Sequence, residues 1–301
     1  MLSKIDIEKE LGKGINISPF NSNNIKENSI NLSASEYAWT NATAAFYINS
    51  QGDMSLEKNE LYNKRIDIKK GHSSLVEINN INYIILLPLS TTFVQTSEVI
   101  AVDNRIGGTY HSKVSIASLG IGHIGTMLGP NFSGHSLISL HNVSNDIIKI
   151  QVGETIVSLV FNYLDSPIDN PNPTLSGHIE KLSEFGINLT FKERELLNAD
   201  WKRNIHLVRE HMESEEKYKL YKKLLRKRKF HKIDKCLNLH NIILIIFIIL
   251  FVYLLNHIAM LLDINLIASG KSPVWVDRFW TVGFSGIFIP IFNFINRYFK
   301  T

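Results

Sequence analysis

Short apolar, β-branched runs fill roughly the first half of the chain, broken every few positions by Gly, Asn, Asp or Ser. The runs Tyr83–Pro88, Ser97–Val102, Val114–Ala117, Leu137–His141, Ile147–Val152 and Thr155–Phe161 have the length and residue types of strands. Helical spacing is scarce there, and Ile5–Leu11 is the one short helix it predicts. The pattern then changes twice. SPIDNPNP, residues 166–173, places three prolines within a few positions and predicts a linker. Beyond it, Trp201, Ile205, Val208 and Met212 recur at spacings of four, three and four, one face of a helix packed on its own domain or on a neighbouring subunit. That seam breaks at Glu215 and Lys219. The third pattern is apolar all round: NIILIIFIILFVYLL, residues 241–255, continues to Leu262 and reaches the roughly 20 residues that cross a bilayer. A second apolar stretch, about 279–296, carries Gly283, Gly286 and Pro290, with Trp275 and Trp280 at its start and Tyr298 at its end. The organisation expected is a β domain over 1–170, a helical basic linker over 171–235 and a two-span membrane hairpin over 236–301.

Charge orients this picture. The net charge of +4 conceals ten Lys/Arg between Lys217 and Lys235, against a single acid, Asp234. This block directly precedes the first span, and Arg297 and Lys300 follow the second. Lys/Arg excess marks the cytoplasmic side, so the N-terminal domain and the C-terminus are both expected there, in a multi-pass membrane protein. Beside a span, the block reads as a surface for anionic lipid headgroups; nucleic acid is the rival partner and the less favoured one. The N-terminus, MLSKIDIEKELGKG, has no apolar core of a cleavable signal peptide. One cysteine, Cys236, leaves no internal disulfide framework and no multi-cysteine metal site.

Several blocks of the first 165 residues carry a family resemblance. INISPFNSNNIKENSINLSAS (15–35) has an apolar-Pro-Phe turn followed by Ser29–Leu32. LLPLSTTFVQTSEVIAV (86–102) contains Thr96-Ser97-Glu98. KVSIASLGI (113–121), GPNFSGHSLISLHN (129–142) and IKIQVGETIVSLVFNYL (148–164) come next, in order. Together they resemble the dCTP deaminase/dUTPase superfamily, whose motifs at the last three places are Arg-Ser-Ser-Leu-Ala-Arg-x-Gly, Asp-Pro-Gly-aromatic-x-Gly and Gly-x-x-Ile-x-Gln. The resemblance implies a mainly β fold, a distorted dUTPase-like barrel (a β-clip). It also implies a homotrimer with pyrimidine nucleotide sites between subunits. No cofactor is required, though Mg²⁺ would accompany the nucleotide.

The same comparison exposes the missing groups. The deaminating Glu of the family corresponds to Ser139, a poor general base alone. The water-orienting Asp of the hydrolases corresponds to Gly129. Lys113 keeps the charge of the first Arg and Ser115 keeps one Ser. Ser118 replaces the second Arg and loses its bidentate fork. From Asn104 to Asn145 there is no Asp or Glu at all, whatever the alignment. A carboxylate from outside that stretch, such as Glu98 or Glu154, would have to supply any acid. The resemblance therefore leaves no catalytic set (Gly129, Ser139 and Ser118 are eroded positions) and a nucleotide-binding set of Lys113, Ser115, Ser118, Asn131 and Ser139. His135 and His141, six apart in one strand, with His111 and His123 nearby, lack close metal-ligand spacing, and no metal site is assigned. Gly107–Gly108 reads as a turn. Three functions stay open: an inactive, membrane-anchored nucleotide sensor or scaffold; a membrane-tethered dCTP deaminase or dUTP diphosphatase; and a ligand-free trimerisation platform.

Overall fold

The computed structural model describes residues 1–122, 125–168, 179–236, 239–270 and 272–277. The chain divides into two compact units, Met1–Lys223 and Leu224–Thr301.

The first unit is mainly β. Helix α1 (Lys4–Glu10) opens it, with a reciprocal cap between Ser3 and Asp6. The strands then run β1 (Ile15–Ser18), β2 (Ile30–Thr40), β3 (Ala44–Ile48), β4 (Met54–Ser55), β5 (Lys64–Ile68), β6 (Leu75–Ile78), β7 (Ile81–Leu86), β8 (Ser90–Val102) and β9 (Ile106–Ser112). After a single helical turn, α2 (Val114–Ala117), come β10 (Ile121–Gly122), β11 (Met127–Leu128), β12 (Ser133–Asn142), β13 (Ile148–Gln151) and β14 (Thr155–Tyr163). The main sheet runs β10-β12-β8-β2-β14-β9-β11, with β1 also on β8, and every pairing in it is antiparallel. Two three-stranded sheets, β13-β7-β6 and β4-β3-β5, flank it.

The sheet is a curled half-barrel. Register shifts at His135/Leu137, Ala34/Ala38 and Thr155/Val157 mark bulges, which bend strands and increase their twist. Three strands separate β9 from β12 along the sheet, yet the Tyr110 hydroxyl lies 2.6 Å from Ser136 Oγ. The interior is apolar: Ile30, Leu32, Val94, Ile138, Leu140, Val157, Leu159 and Phe161 are all buried.

Two local expectations are corrected. Val114–Ala117, expected as a strand, is helical: the Ala117 and Ser118 amides donate to Lys113 O and Val114 O. Four β-branched-rich residues do not decide between the two states, and the hydrogen bonds to Lys113 and Val114 do. Gly107–Gly108 is not a turn but part of β9, where a Cβ on Gly108 would lie 2.6 Å from Val160 O. Glycine there permits close approach of two backbones.

The first unit continues well past the expected boundary at residue 170. After α3 (Ile179–Glu184), α4 (Phe191–Leu197), a 3-10 turn at Asp200–Arg203 and α5 (Ile205–Ser214), it ends within α6 (Glu216–Cys236). Much of the proline-rich run lies outside the described residues. Trp39 of β2 is buried among Leu182, Ile187, Leu189 and Leu197, and its indole N–H donates to Glu193 at 3.2 Å. Val208 joins Val99 and Ala101, with Trp201 and Ile205 at the margin, so the apolar face read in the sequence packs on its own domain.

The second unit contains α7 (Leu239–Ala268), 30 residues or about 45 Å of helix. Its part Ile249–Ala268 is long and apolar enough to cross a membrane, by length and composition. The helix continues beyond Leu262, the expected end of the first span, to Ala268. The Asp263 carboxylate accepts from the amides of Val274, Trp275 and Val276, each at 2.8 Å. The second expected span, 279–296, lies outside the described residues.

Candidate functional site

Two local structures carry the candidate residues, joined by β12. The first is the α2 turn. Lys113 directly succeeds β9 and occupies the N-cap of α2 without a side-chain cap bond. Its half-buried ammonium is turned onto β14, where it donates to Thr155 O at 3.2 Å and to Thr155 Oγ1. Ser115 and Ser118 are exposed, and Ser118 Oγ donates to Ser115 O at 3.1 Å. Strand β10 then pairs with the far end of β12, Ile121 opposite Asn142. The α2 segment thus leads to the end of β12 nearest Ser139.

The second structure is the turn Gly129-Pro130-Asn131. Asn131 has φ +59°, and asparagine is among the few residues that adopt this left-handed conformation readily. Its amide donates to Asp103 O at 3.2 Å, and Val102 N donates to Phe132 O at 2.9 Å. Both bonds fix the turn at the Ser133 end of β12. From Ser133 to Ser139 is about 20 Å of strand. A single copy of the chain therefore does not bring Asn131 and Gly129 to Ser139. It groups Ser139 loosely with the α2 turn and leaves the Gly129 turn apart.

Ser139 itself is half-buried and pairs with Phe93 of β8. Directly opposed residues share a sheet face. Phe93 and Leu137 pack against the Trp39–Leu182–Leu189 cluster, and the Phe93 ring stacks on Phe185 at 5.1 Å. Ser139 is thus on a face roofed by residues from beyond the linker. Phe185 and Thr155 were not legible as site neighbours. Both contacts are long-range, and no local motif marks them.

The displaced carboxylates are committed elsewhere or open to solvent. Glu98 is buried; its Oε2 accepts from Ser33 N at 2.8 Å and its Oε1 from Asn24 at 3.4 Å. Burial raises its pKa above the ordinary carboxylate range, against the opposing pull of the Ser33 amide. Glu154 is exposed beside Thr155. The histidines do not assemble either. His135 is buried, with Nδ1 2.8 Å from Thr96 O and Nε2 lacking a hydrogen-bond partner. Desolvation, with the nearby Lys202 cation second, lowers its pKa to about 4. His141 Nδ1 is 2.8 Å from Thr91 Oγ1, and His111 Nε2 is 2.9 Å from Thr109 Oγ1. His123 lies outside the described residues. Among the described residues no group of three His, Cys, Asp or Glu is arranged to hold a metal.

The chain has relatives in sequence among known proteins. The sequence model of the dCTP deaminase-like family matches residues 1–164. A dUMP-forming dCTP deaminase of Thermobifida fusca is 34% identical over 103 residues, 34% of this chain and 53% of the relative. The match thus spans about half the length of that relative. One from Corynebacterium efficiens is 26% identical over 174 residues, 57% of this chain and 83% of the relative. Among solved structures, the 2'-deoxycytidine 5'-triphosphate deaminase of Agrobacterium tumefaciens aligns with a TM-score of 0.37 at 13% identity, over 54% of this chain and 48% of that one. With the family model matching more than half of its length, the chain belongs to the dCTP deaminase-like family.

Proposed function

We propose that this family member is a catalytically inactive, membrane-anchored nucleotide-binding sensor or scaffold. The observation that carries the reading is the absence of any carboxylate from Asn104 to Asn145, where the α2 turn, the Gly129 turn and β12 all lie. Deamination of a cytosine ring needs a group that moves protons between water and base, and Ser139 has no suitable pKa. Glu98, the nearest alternative in the paired strand β8, is held by Ser33 N in the interior. Phosphate recognition fares better. Lys113 and Ser115 remain, and the exposed hydroxyls of Ser115 and Ser118 lie one helical turn apart at the end of β9.

The ligand proposed is a pyrimidine nucleotide, with Mg²⁺ carried on its phosphates. A homotrimer would set the Gly129 turn of one copy near the α2 turn of another, which a single copy keeps apart. Anchoring rests on α7 and the basic run before it, with the β domain on the cytoplasmic side. The relatives' names favour a rival reading, an active dCTP deaminase, which the same anchor would tether to the membrane.

The test uses the full chain in detergent micelles with dCTP, dUTP, CTP or UTP and Mg²⁺, with calorimetry and then chromatography of products. Binding without turnover is the expected result. Turnover of dCTP or dUTP would overturn inactivity and require a displaced acid. Neither binding nor turnover would leave the ligand-free trimerisation platform.

A further inference from the structure

Helix α6 begins at Glu216, directly after the extended residue Glu215 that ends α5. Its first turns have two unlike sides. Tyr218 and Tyr221 are buried against the domain, with ring centroids 5.1 and 5.3 Å from Phe20. The Tyr218 hydroxyl donates to Leu11 O at 3.3 Å and that of Tyr221 to Glu8 Oε1 at 2.6 Å. Lys219, Leu220 and Lys223 point the other way, by helical spacing, and all three are exposed. Leu220 is 56% exposed, a large apolar side chain set between lysines. Lys222 is drawn aside by Glu213 at 3.1 Å. In sequence the same pattern runs on at the i+4 spacing through Leu224 and Lys227.

We propose that this outward face of α6 docks on the surface of an anionic bilayer, lysines among the headgroups and Leu220 at the acyl boundary. The inference rests on the membrane anchoring proposed above and adds the face of α6 that meets the lipid and the side chain that enters it. Two features select lipid. Lysines around the exposed Leu220 match an interface that is charged outside and apolar beneath, which a nucleic-acid backbone is not. The apolar helix α7 also begins only three residues after α6 ends in sequence. Juxtamembrane lysines attract anionic lipids within a Debye length of the surface. Because Tyr218 and Tyr221 occupy the opposite side, α6 would meet lipid without releasing the Phe20 turn.

The experiment places an environment-sensitive fluorophore on Leu220→Cys in a Cys236→Ser background, with the full chain in nanodiscs. One set of discs contains phosphatidylcholine alone, the other phosphatidylserine as well. The expected result is blue-shifted emission, quenched by lipid-borne nitroxide, in the phosphatidylserine discs only. The shift should fade with salt and in Lys219→Glu/Lys223→Glu. A probe that stays in water in both discs overturns the docking. Displacement of the probe from lipid by added RNA at ordinary salt assigns the face to nucleic acid and likewise overturns it. Co-elution with the discs separates the two readings. A chain that co-elutes with its probe in water refutes only the α6 face, whereas a chain that fails to enter the discs refutes the anchoring itself. Leu220→Ala serves as a second check, since it should weaken the nitroxide quenching of a probe placed at Leu224→Cys while leaving co-elution intact.

Discussion

The candidate site and the junction between the sheet and its C-terminal helices are built with opposite economy. At the site, the side chains are small or turned to neighbours: Ser115 and Ser118 are exposed, and Lys113 is spent on Thr155. At the junction, polar groups find partners from across the chain. Glu215 accepts from Ser18 Oγ and from Phe20 N, both at 2.6 Å, and Arg209 donates to Lys13 O at 2.6 Å. Met212 Sδ accepts from Ile17 N at 3.4 Å. These bonds hold α5 and the start of α6 on β1, while the candidate site keeps a cation and hydroxyls.

The contrast breaks most severely at Trp39. Trp39→Ala should empty the cluster that seats α3 and α4 and leave Glu193 without its indole donor. A loss of about 3–5 kcal/mol is expected from denaturant unfolding of the full chain. Removing everything after residue 170 would uncover the same surface, together with Val99 and Ala101.

Next in size is a pH effect. His135 has a folded pKa near 4 against an ordinary 6.5. The unfolded chain therefore binds the extra proton between these values, so stability is full above about 6.5 and falls as pH drops toward 4. The difference amounts to about 3 kcal/mol. His135→Gln should flatten that slope in a pH series of melting temperatures. Glu98 contributes with the opposite sign. Its folded pKa is raised, so its contribution is lost as pH rises through that value, and Glu98→Gln should remove the loss.

Smaller again is Glu215→Ala, which strands the Ser18 hydroxyl and the Phe20 amide in a half-buried setting. About 2 kcal/mol is expected, and Glu215→Gln should recover part of it by restoring an acceptor. Hydrogen exchange is the sharper readout, with faster exchange confined to the Phe20 turn and α5.

How much of this could be read along the chain differs between the two regions. Strands such as β12 and β14 were legible because alternation and β-branched residues are local signals. The missing acids were legible for a simpler reason: a stretch without Asp or Glu needs no geometry. The junction was not. Glu215 entered only as a break in an apolar seam, and nothing near it in sequence points to Ser18, 197 positions away. The same holds for the domain boundary. Three prolines suggest a linker but do not reveal that the helices beyond it return to Trp39. The α2 turn was misread as a strand because Val114 and Ile116 are β-branched, and four residues hold too few side chains for periodicity to decide.

The least disruptive change probes the site side of the comparison. Lys113→Ala removes a half-buried ammonium whose partners are Thr155 O and Oγ1, both at the rim of β14. If Lys113 were only a tie between β9 and β14, the variant would lower the melting temperature and leave nucleotide affinity alone. If it is the remaining phosphate ligand, it must exchange Thr155 for phosphate when nucleotide binds. Affinity should then fall about tenfold, the worth of one charge-assisted hydrogen bond, while stability barely moves. Thr155→Val separates the two further, since it removes the hydroxyl partner and leaves the ammonium charged, with the main-chain oxygen at 155 still accepting. Nucleotide should then bind as tightly as to the unaltered chain or tighter. A tie would show the reverse, with Thr155→Val and Lys113→Ala equally unstable and equally indifferent to nucleotide.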